Sequence, residues 1–374
     1  MTNERIHIGV LFGGRSGEHE VSLMSARSIL SVLSTERYIV HQIGITREGQ
    51  WVTGEAVLEA FTLGHTAGLT PAAILPEPGD PRLYALRMGQ TGMVLEPVAR
   101  LDVLFPVLHG TFGEDGTLQG LLEMADLAYV GSGVLGSAVG MDKALFKDLM
   151  RAHGLPVLPA GLLNRSQVET DLEAALNAAE TVGAYPLFVK PANMGSSVGI
   201  TKCRSRSDLL EGLQEAARFD RRVLVERGLS KPREIEVSVL GNDQPVASVP
   251  GEVVPDDDFY TYRAKYFDDR SQLRIPAPLP AEVTRRLQEL AVAAFRAADC
   301  AGMARVDFLA SQDLSEIYIS EINTIPGFTR ISMYPKLWEA SGLPYPALID
   351  RLTDLALQRK ADRDHTERQY GSTQ

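Results

Sequence analysis

The sequence predicts a mixed fold, α/β in its N-terminal third and α+β beyond it. An apolar strand over residues 6–12, a glycine turn and a helix-like segment at 19–33 begin a β-α-β layout, which the strand-like run 38–45 continues. Towards the other end, two β-rich runs joined by the polar linker 311–316 are typical of a hairpin. With 374 residues, 44% of them hydrophobic, the chain can form two or three domains.

The predicted hairpin carries the clearest chemistry. Strand alternation places Arg305 and Asp307 on one face of its first strand, and Glu321 and Asn323 on one face of the second. Ile319 has the same parity as Glu321, so that face must change from apolar to polar along the strand. Carboxylate and amide oxygens are ligands that Mg²⁺ prefers, so we expect magnesium and a nucleotide here. The alternative for this stretch alone is a pair of salt-bridged surface strands.

Composition restricts the partners and the compartment. A net charge of −11 and a pI near 5.2 disfavour binding to nucleic acid or to an anionic membrane. The first residues show no cleavage pattern and no apolar run long enough to span a bilayer, so we expect a cytoplasmic protein. Cys203 and Cys300 lie outside any C-x-x-C pattern and are expected to be reduced thiols, with one disulfide as the alternative.

The glycine turn at 13–17 follows the first strand and precedes a helix. Such a turn can hold an anion, but it lacks the G-x-G-x-x-G pattern, and Glu18 and Glu20 would repel a phosphate. Those two carboxylates suit an ammonium ligand better.

Residues 50–97 are rich in Gly and Pro and predict a long irregular insertion, with a hairpin at about 83–95. The strand at 101–108 then ends in a glycine-rich loop that begins at His109. Ligands of open α/β sheets bind at the carboxyl ends of strands, so we expect His109 near the substrate. The alternative is a hydrogen-bonded structural histidine.

The middle of the chain predicts a phosphate-binding loop. A strand ending at Lys190 is followed by a Gly- and Ser-rich loop and a second strand, and the N–H groups and hydroxyls of such a loop can cover phosphate oxygens. It is not a P-loop, because a strand rather than a helix follows, and an ordinary glycine hairpin is the alternative.

Four helices complete this interpretation. They are predicted from about Asp142 to Gly154, from a capping box at Ser166 to about Val182, from a cap at Ser207 to Ala217, and over the amphipathic stretch 281–298.

Two further segments are predicted to be mobile. Residues 256–270 combine charges with aromatic side chains and predict a lid, or else a solvated loop packed on its aromatics. After a helix at about 345–358, the polar tail from Arg359 is expected to be disordered.

Seven segments taken together resemble the D-alanine-D-alanine ligases, which are ATP-grasp enzymes. They are G-G-R-S-G-E-H-E-V-S from 13, L-H-G-T-F-G-E-D-G-T-L-Q-G from 108, G-S-G-V-L-G-S-A-V-G-M-D-K from 131, V-K-P-A-N-M-G-S-S-V-G from 189, Y-R-A-K-Y from 262, R-V-D-F from 305 and E-I-N-T-I-P-G-F-T from 321. The resemblance implies a Rossmann-like N-terminal domain followed by a two-domain ATP-grasp fold. The implied domains are 1–131, 132–230 and 231–360, with a disordered tail at 361–374.

The resemblance also implies the reaction and its partners. Two D-alanines are joined through an acyl phosphate at the expense of ATP, for peptidoglycan precursors, by a cytoplasmic homodimer that binds neither membrane nor nucleic acid. Two Mg²⁺ ions, or Mn²⁺ in their place, are implied at Asp307, Glu321 and Asn323. The ATP contacts implied are Lys143, Lys190, Glu226, Leu229, Glu234 and Lys265.

Family resemblance assigns the substrate contacts as well. Glu18 would bind the first ammonium, with Ser196 and Tyr266 as hydrogen-bonding partners that latch the lid. Arg305 and the Gly327 backbone would form the oxyanion site. Ser332 and Met333 would receive the second carboxylate.

Two other functions remain open. One is a ligase with D-lactate or D-serine as second substrate; relatives with a tyrosine at the position of Tyr266 make the dipeptide, which favours D-alanine. The other is a nucleotide-sensing protein without turnover, which the presence of both Lys265 and Arg305 disfavours.

Overall fold

Three sheets organise the part of the chain that the computed structural model describes, which is residues 4–195, 198–254 and 272–367. The sheets have eight, four and six strands in chain order. The predicted sequence of an α/β part followed by α+β parts is confirmed.

The first sheet mixes parallel and antiparallel pairing. Its strands are β1 (Ile6–Gly13), β2 (Tyr38–Ile45), β3 (Trp51–Gly54), β4 (Thr70–Ile74), β5 (Arg82–Gly89), β6 (Gly92–Arg100), β7 (Val103–Val107) and β8 (Ala128–Tyr129), in the spatial order β6-β5-β4-β3-β2-β1-β7-β8. The helices of this part are α1 (His19–Leu30), α2 (Val57–Thr62), α3 (Thr117–Met124) and α4 (Val134–Met141). Strand β1 pairs in parallel with β2 and β7, which is the predicted Rossmann-like layout.

The prediction of an irregular insertion at 50–97 is wrong, apart from the hairpin that it included. Strands β3 to β6 are each paired antiparallel and extend the sheet at its outer edge, and β5 and β6 form the predicted hairpin. The glycines of this stretch mark turns between short strands, since Gly64 and Gly79 both have a positive φ. Composition alone did not distinguish such turns from a loss of structure.

The second sheet is antiparallel. Its strands are β9 (Ala160–Asn164), β10 (Leu187–Pro191), β11 (Thr201–Cys203) and β12 (Arg222–Arg227), in the order β11-β10-β12-β9. The helices in this stretch of the chain are α5 (Lys143–Ala152), α6 (Arg165–Thr170), α7 (Leu172–Glu180) and α8 (Arg206–Phe219). The apolar side of α5 packs in the core of the third sheet, and the other three helices pack on the second. The predicted helix from about Asp142 is confirmed, because the Asp142 side chain accepts the N–H groups of Ala144 and Leu145.

Two predicted caps were misplaced. The capping box is formed by Asn164 and Gln167, and the helix expected from Ser166 to about Val182 is divided where Asp171 caps a second helix by accepting the N–H of Ala174. The cap of α8 is Ser205, not Ser207.

The third sheet holds the predicted hairpin. Its strands are β13 (Arg233–Gly241), β14 (Val246–Ala247), β15 (Gly251–Val254), β16 (Gln272–Arg274), β17 (Gly302–Ala310) and β18 (Ile317–Asn323), with β14 paired to β13 and the others in the order β16-β15-β13-β17-β18. Its helices are α9 (Ala281–Ala297), α10 (Met333–Ala340) and α11 (Tyr345–Asp364). The apolar side of α9 packs in the core, as predicted.

The expectation that the chain is disordered from Arg359 is wrong for residues 359–364, which are helical. Helix α11 continues to Asp364 because its cations bind the first sheet and α3: the Arg359 guanidinium lies 4.3 Å from the centre of the Tyr129 ring, and Arg363 Nη1 lies 2.5 Å from a carboxylate oxygen of Glu123. The predicted lid at 256–270 and the tail residues 368–374 lie outside the described residues.

The described helices include none long and apolar enough to cross a membrane. Cys203 and Cys300 are buried free thiols, which confirms the expected reduced state.

Candidate active site

The β17–β18 hairpin brings the predicted polar residues together. Arg305 lies opposite Asn323, and Asp307 lies opposite Glu321. The expected change of one face from apolar to polar is wrong, because a bulge at Ser320 shifts the strand by one residue. As a result Ile322, rather than Glu321, enters the core at 3% exposure.

Arg305 and Asp307 form the centre of this group. The Arg305 guanidinium donates to both carboxylate oxygens of Asp307 at 2.7 Å, and its Nε lies 3.0 Å from Glu236 Oε2. The Asn323 amide donates to Asp307 Oδ2 at 3.0 Å. Such a bidentate pair fixes the plane of the guanidinium, so one cation is held rigidly beside two carboxylates.

Lys143 approaches the hairpin from the first residue of α5. Its ammonium donates to the Met194 carbonyl at 2.7 Å and lies 3.7 Å from Glu321 Oε2. The lysine therefore stands between the predicted glycine loop and the predicted metal ligands.

Glu226 is held by two lysines, one of which the sequence did not reveal. Lys190 Nζ lies 2.5 Å from Glu226 Oε2, and Lys147 pairs with the other oxygen. Burial opposes ionisation, but the two ammonium charges outweigh it and lower the pKa of Glu226 to about 2. Burial lowers the pKa of Lys147 despite its partner. The available signal for Lys147 was its spacing of four residues from Lys143 on one helix face.

One cavity of about 420 Å³ unites most of the predicted site. Twelve predicted residues line it: Glu18, His109, Lys143, Lys190, Glu226, Leu229, Glu234, Arg305, Asp307, Glu321, Asn323 and Gly327. They come from strands of the second and third sheets, from the start of α5, and from the loops that follow β1, β7, β12 and β18. Ser196, Lys265 and Tyr266 lie outside the described residues.

Glu18 lies where the first α/β turn meets the glycine loop of the second sheet. It is 7% exposed and lines both the main cavity and a smaller one of about 80 Å³. A Cβ at Gly110 would overlap its carboxylate, and one at Gly195 would lie 2.8 Å from it. Both glycines are therefore needed for the close approach of their loops to this carboxylate.

Ser332 and Met333 are not among the residues that line either cavity. The Ser332 hydroxyl accepts the Thr329 N–H at 3.0 Å, and the Met333 side chain packs with Leu337 at 4% exposure. In the described structure neither residue therefore reaches the two cavities.

His109 and Glu114 sit together at the deep end of the cavity. Both ring nitrogens of His109 have protein partners, Ser25 Oγ at 3.2 Å and the Ile325 carbonyl at 3.1 Å, which favours the structural alternative for this residue. Burial lowers its pKa. Glu114 had no predicted role, yet withdrawal from water and the charge of Glu18 raise its pKa to about 8.

Fold and site together define a nucleotide-dependent ligase of the ATP-grasp class. Residues 7–132 match the family described as D-ala D-ala ligase N-terminus, and residues 149–354 match D-ala D-ala ligase C-terminus. The chain therefore belongs to the D-alanine-D-alanine ligase family of ATP-dependent ligases, which form a dipeptide for peptidoglycan precursor synthesis.

Relatives match over nearly their whole length. A D-alanine-D-alanine ligase of Natranaerobius thermophilus is 47% identical, with 99% of this chain and 100% of that protein covered. One of Heliobacterium modesticaldum is 50% identical, with 96% and 98% covered.

Solved structures agree with this family. The D-alanine-D-alanine ligase from Coxiella burnetii is 36% identical with a TM-score of 0.79, and 96% of each chain is covered. VanG D-Ala:D-Ser ligase from Enterococcus faecalis is 34% identical with a TM-score of 0.82, and 94% of this chain and 100% of that one are covered.

Proposed function

We propose that the main cavity binds ATP and two D-alanines and forms D-alanyl-D-alanine. The observation that carries this proposal is the convergence of lysines, carboxylates and one fixed arginine on a single cavity. A carboxylate oxygen of the first D-alanine attacks the γ-phosphorus, which gives an acyl phosphate and ADP. The amine of the second D-alanine then attacks the carbonyl carbon, phosphate leaves, and the nitrogen gives up a proton.

For ATP, the proposed contacts other than Lys265 all line the main cavity. Lys143 and Lys190 offset phosphate charge, Glu226 and the Leu229 backbone meet the adenine, and Glu234 meets the ribose. Lys265 is assigned to the γ-phosphoryl group. Because Glu226 is already held by two lysines, its orientation is fixed before the nucleotide binds.

Asp307, Glu321 and Asn323 are the proposed ligands for two Mg²⁺ ions, with Mn²⁺ as a substitute. Their oxygens lie on one face of two paired strands and suit a hard cation. The described residues contain no group of three or more His, Cys, Asp or Glu that could hold a metal ion by itself, which is consistent with ions completed by phosphate oxygens. Bound metal ions would neutralise charge on the triphosphate.

At the substrate end, Glu18 is assigned to the ammonium of the first D-alanine, with Ser196 and Tyr266 as its partners. The Arg305 guanidinium and the Gly327 N–H are assigned to the oxygen that becomes negative when the carbonyl is attacked. The carboxylate of the second D-alanine is assigned to Ser332 and Met333. Since neither lines the cavity, we expect their backbone to move towards the ligand.

We also propose the domains 1–131, 132–230 and 231–360, and a cytoplasmic location, which the two buried thiols support. The proposed assembly is a homodimer.

The proposed contact between subunits is the β5–β6 hairpin. Strand β6 is the open edge of its sheet, and it exposes Met93 (60%) and Leu95 (44%). Residues 80–100 contain three Arg and two acidic residues, a net +1 in a chain of net −11, so two copies of this surface repel each other little. Met93→Glu should give monomers in sedimentation, whereas Met124→Glu, also exposed, should not; unchanged dimers with Met93→Glu would place the interface elsewhere.

Phosphate release tests the function. With ATP, magnesium and D-alanine the enzyme should release phosphate, and Glu321→Gln should reduce the rate at least ~100-fold with the folded structure intact. The control is Glu289→Gln, an exposed carboxylate on α9, which should behave as wild type. Normal turnover of Glu321→Gln would show that the metal site is misplaced.

A further inference from the structure

Three side chains of the N-terminal part hold the segment Ile325–Phe328, which follows β18 and contains Gly327. Glu114 Oε1 accepts the Ile325 N–H at 3.1 Å, and Ser25 Oγ accepts the Phe328 N–H at 3.2 Å. His109 Nδ1 lies 3.1 Å from the Ile325 carbonyl oxygen. Each contact joins residues more than 200 positions apart in the chain, so the segment is positioned from outside its own sheet.

The chemistry of these contacts fixes the hydrogen atoms. A carbonyl oxygen only accepts, so His109 Nδ1 carries the proton, and in the neutral ring Nε2 accepts from the Ser25 hydroxyl 3.2 Å away. The Ser25 oxygen is then free to accept the Phe328 N–H. Burial, which lowers the pKa of His109, keeps the ring neutral as this network requires.

Packing supports the same placement. Phe328 is fully buried, and its ring meets Phe105 of β7 edge to face at 5.9 Å. Two polar contacts at Ile325, and one polar contact with an apolar anchor at Phe328, thus hold both ends of this four-residue segment.

Glu114 also reaches back to the loop that contacts Glu18. Its second oxygen accepts the Gly110 N–H at 2.8 Å, and Gly110 is the residue whose Cα lies against the Glu18 carboxylate. One continuous path therefore joins Glu18 to Gly327, through Gly110, Glu114 and Ile325. A contact needed only for folding would not require a carboxylate next to another carboxylate, since that proximity costs free energy.

We propose that Glu114, supported by His109 and Ser25, is a positioning residue that fixes the Gly327 backbone relative to Glu18. It rests on the proposed function, in which Gly327 and Glu18 act on the same substrate. Glu114 does not touch the reacting atoms in this account; it sets the distance between two groups that do.

The charge of Glu114 matters because both of its oxygens accept N–H groups. Protonation removes one acceptor and loosens the path. The charged groups that face it are Glu18, which raises its pKa, and Arg305, which lowers it. An ammonium bound at Glu18 would offset the charge of Glu18 and so lower the pKa of Glu114. As the pH is lowered, kcat/KM, which reports the free enzyme, should therefore begin to fall at a higher pH than kcat, which reports the substrate complex.

Glu114→Gln tests the proposal, because glutamine keeps the size but supplies one acceptor. We expect kcat to fall ~10-fold or more, the KM for ATP to stay within ~2-fold, and the acid limb of kcat/KM near pH 8 to disappear. Glu114→Asp should retain the limb. Ser25→Ala should lower kcat less and leave the limb unchanged.

Amide hydrogen exchange gives a readout independent of turnover. The Ile325 and Phe328 amides should exchange faster in Glu114→Gln than in wild type, with nucleotide affinity unchanged. If exchange rises while wild type does not turn over D-alanine, the proposed function fails and the positioning role stands. The proposal would be overturned if the Ile325 and Phe328 amides of Glu114→Gln exchanged as slowly as those of wild type, or if Glu114→Gln kept the acid limb of kcat/KM.

Discussion

Glu226 and Glu114 line the same cavity, yet their surroundings move their pKa values in opposite directions. Glu226 is paired with Lys147 and Lys190, and its pKa falls to about 2. Burial and the neighbouring charge of Glu18 raise the pKa of Glu114 to about 8, although two backbone N–H groups donate to its carboxylate. Withdrawal from water raises the pKa of both carboxylates, and the two lysines reverse that shift at Glu226.

The opposite pKa shifts indicate two different roles for the cavity-lining carboxylates Glu226 and Glu114. Glu226 is permanently ionised at neutral pH and holds two cations in place at the proposed nucleotide wall. Glu114 changes charge near pH 8, so its hydrogen bonds depend on the charge at the neighbouring Glu18 site. The first arrangement supplies rigidity, and the second couples geometry to a ligand.

The largest effect should come from breaking the lysine pairs. Glu226→Gln removes the carboxylate paired with Lys147, which is buried at 2% exposure, and we expect the free energy of unfolding at pH 7 to fall by about 3–5 kcal/mol. Urea unfolding measures this change. Glu289→Gln, which removes an exposed helical pair, should change it by less than about 0.5 kcal/mol. If the two substitutions lowered the free energy of unfolding equally, the buried pairing of Glu226 with its lysines would not contribute more than an exposed ion pair.

Acid should remove the contribution of Glu226. A folded pKa near 2, below the unfolded value, means that the stabilisation is complete above about pH 5 and is lost as the pH falls towards 2, a change of roughly 3 kcal/mol. Wild type should therefore lose more stability than Glu226→Gln between these pH values. Parallel acid titrations of the two proteins would show that Glu226 is not ionised by its lysines.

A smaller effect of opposite sign is expected for Glu114. Because its folded pKa lies above the unfolded value, its contribution is complete below about pH 4 and is lost as the pH rises to about 8. Relative to Glu114→Gln, ligand-free wild type should lose at least about 1 kcal/mol of stability between pH 5 and pH 9. A constant difference would mean that the pKa of Glu114 is not raised in the folded protein.

The sequence was sufficient to predict which strands and contiguous motifs carry the polar residues of the cavity. It predicted the hairpin and its polar residues, and twelve predicted residues meet at one cavity. It did not predict the bulge at Ser320, because the phase of β18 is set by pairing with β17. Glu321 lies opposite Asp307 because of this bulge, which the sequence pattern does not show.

Contacts between distant segments were the other gap. Lys147 meets Glu226 from another element, and Glu114 meets Ile325 from another sheet, so neither partnership follows from spacing. The end of α11 looked disordered because it is polar, but its arginines bind groups near Tyr129 that only the folded chain presents.

A competition assay tests the central claim, that this site joins D-alanine to D-alanine. The enzyme is given ATP, magnesium and equal concentrations of D-alanine, D-serine and D-lactate, and the products are separated by mass. We expect D-alanyl-D-alanine as the main product, with one phosphate released for each dipeptide. A majority of D-alanyl-D-lactate or D-alanyl-D-serine, or phosphate release without a dipeptide, would contradict the assignment.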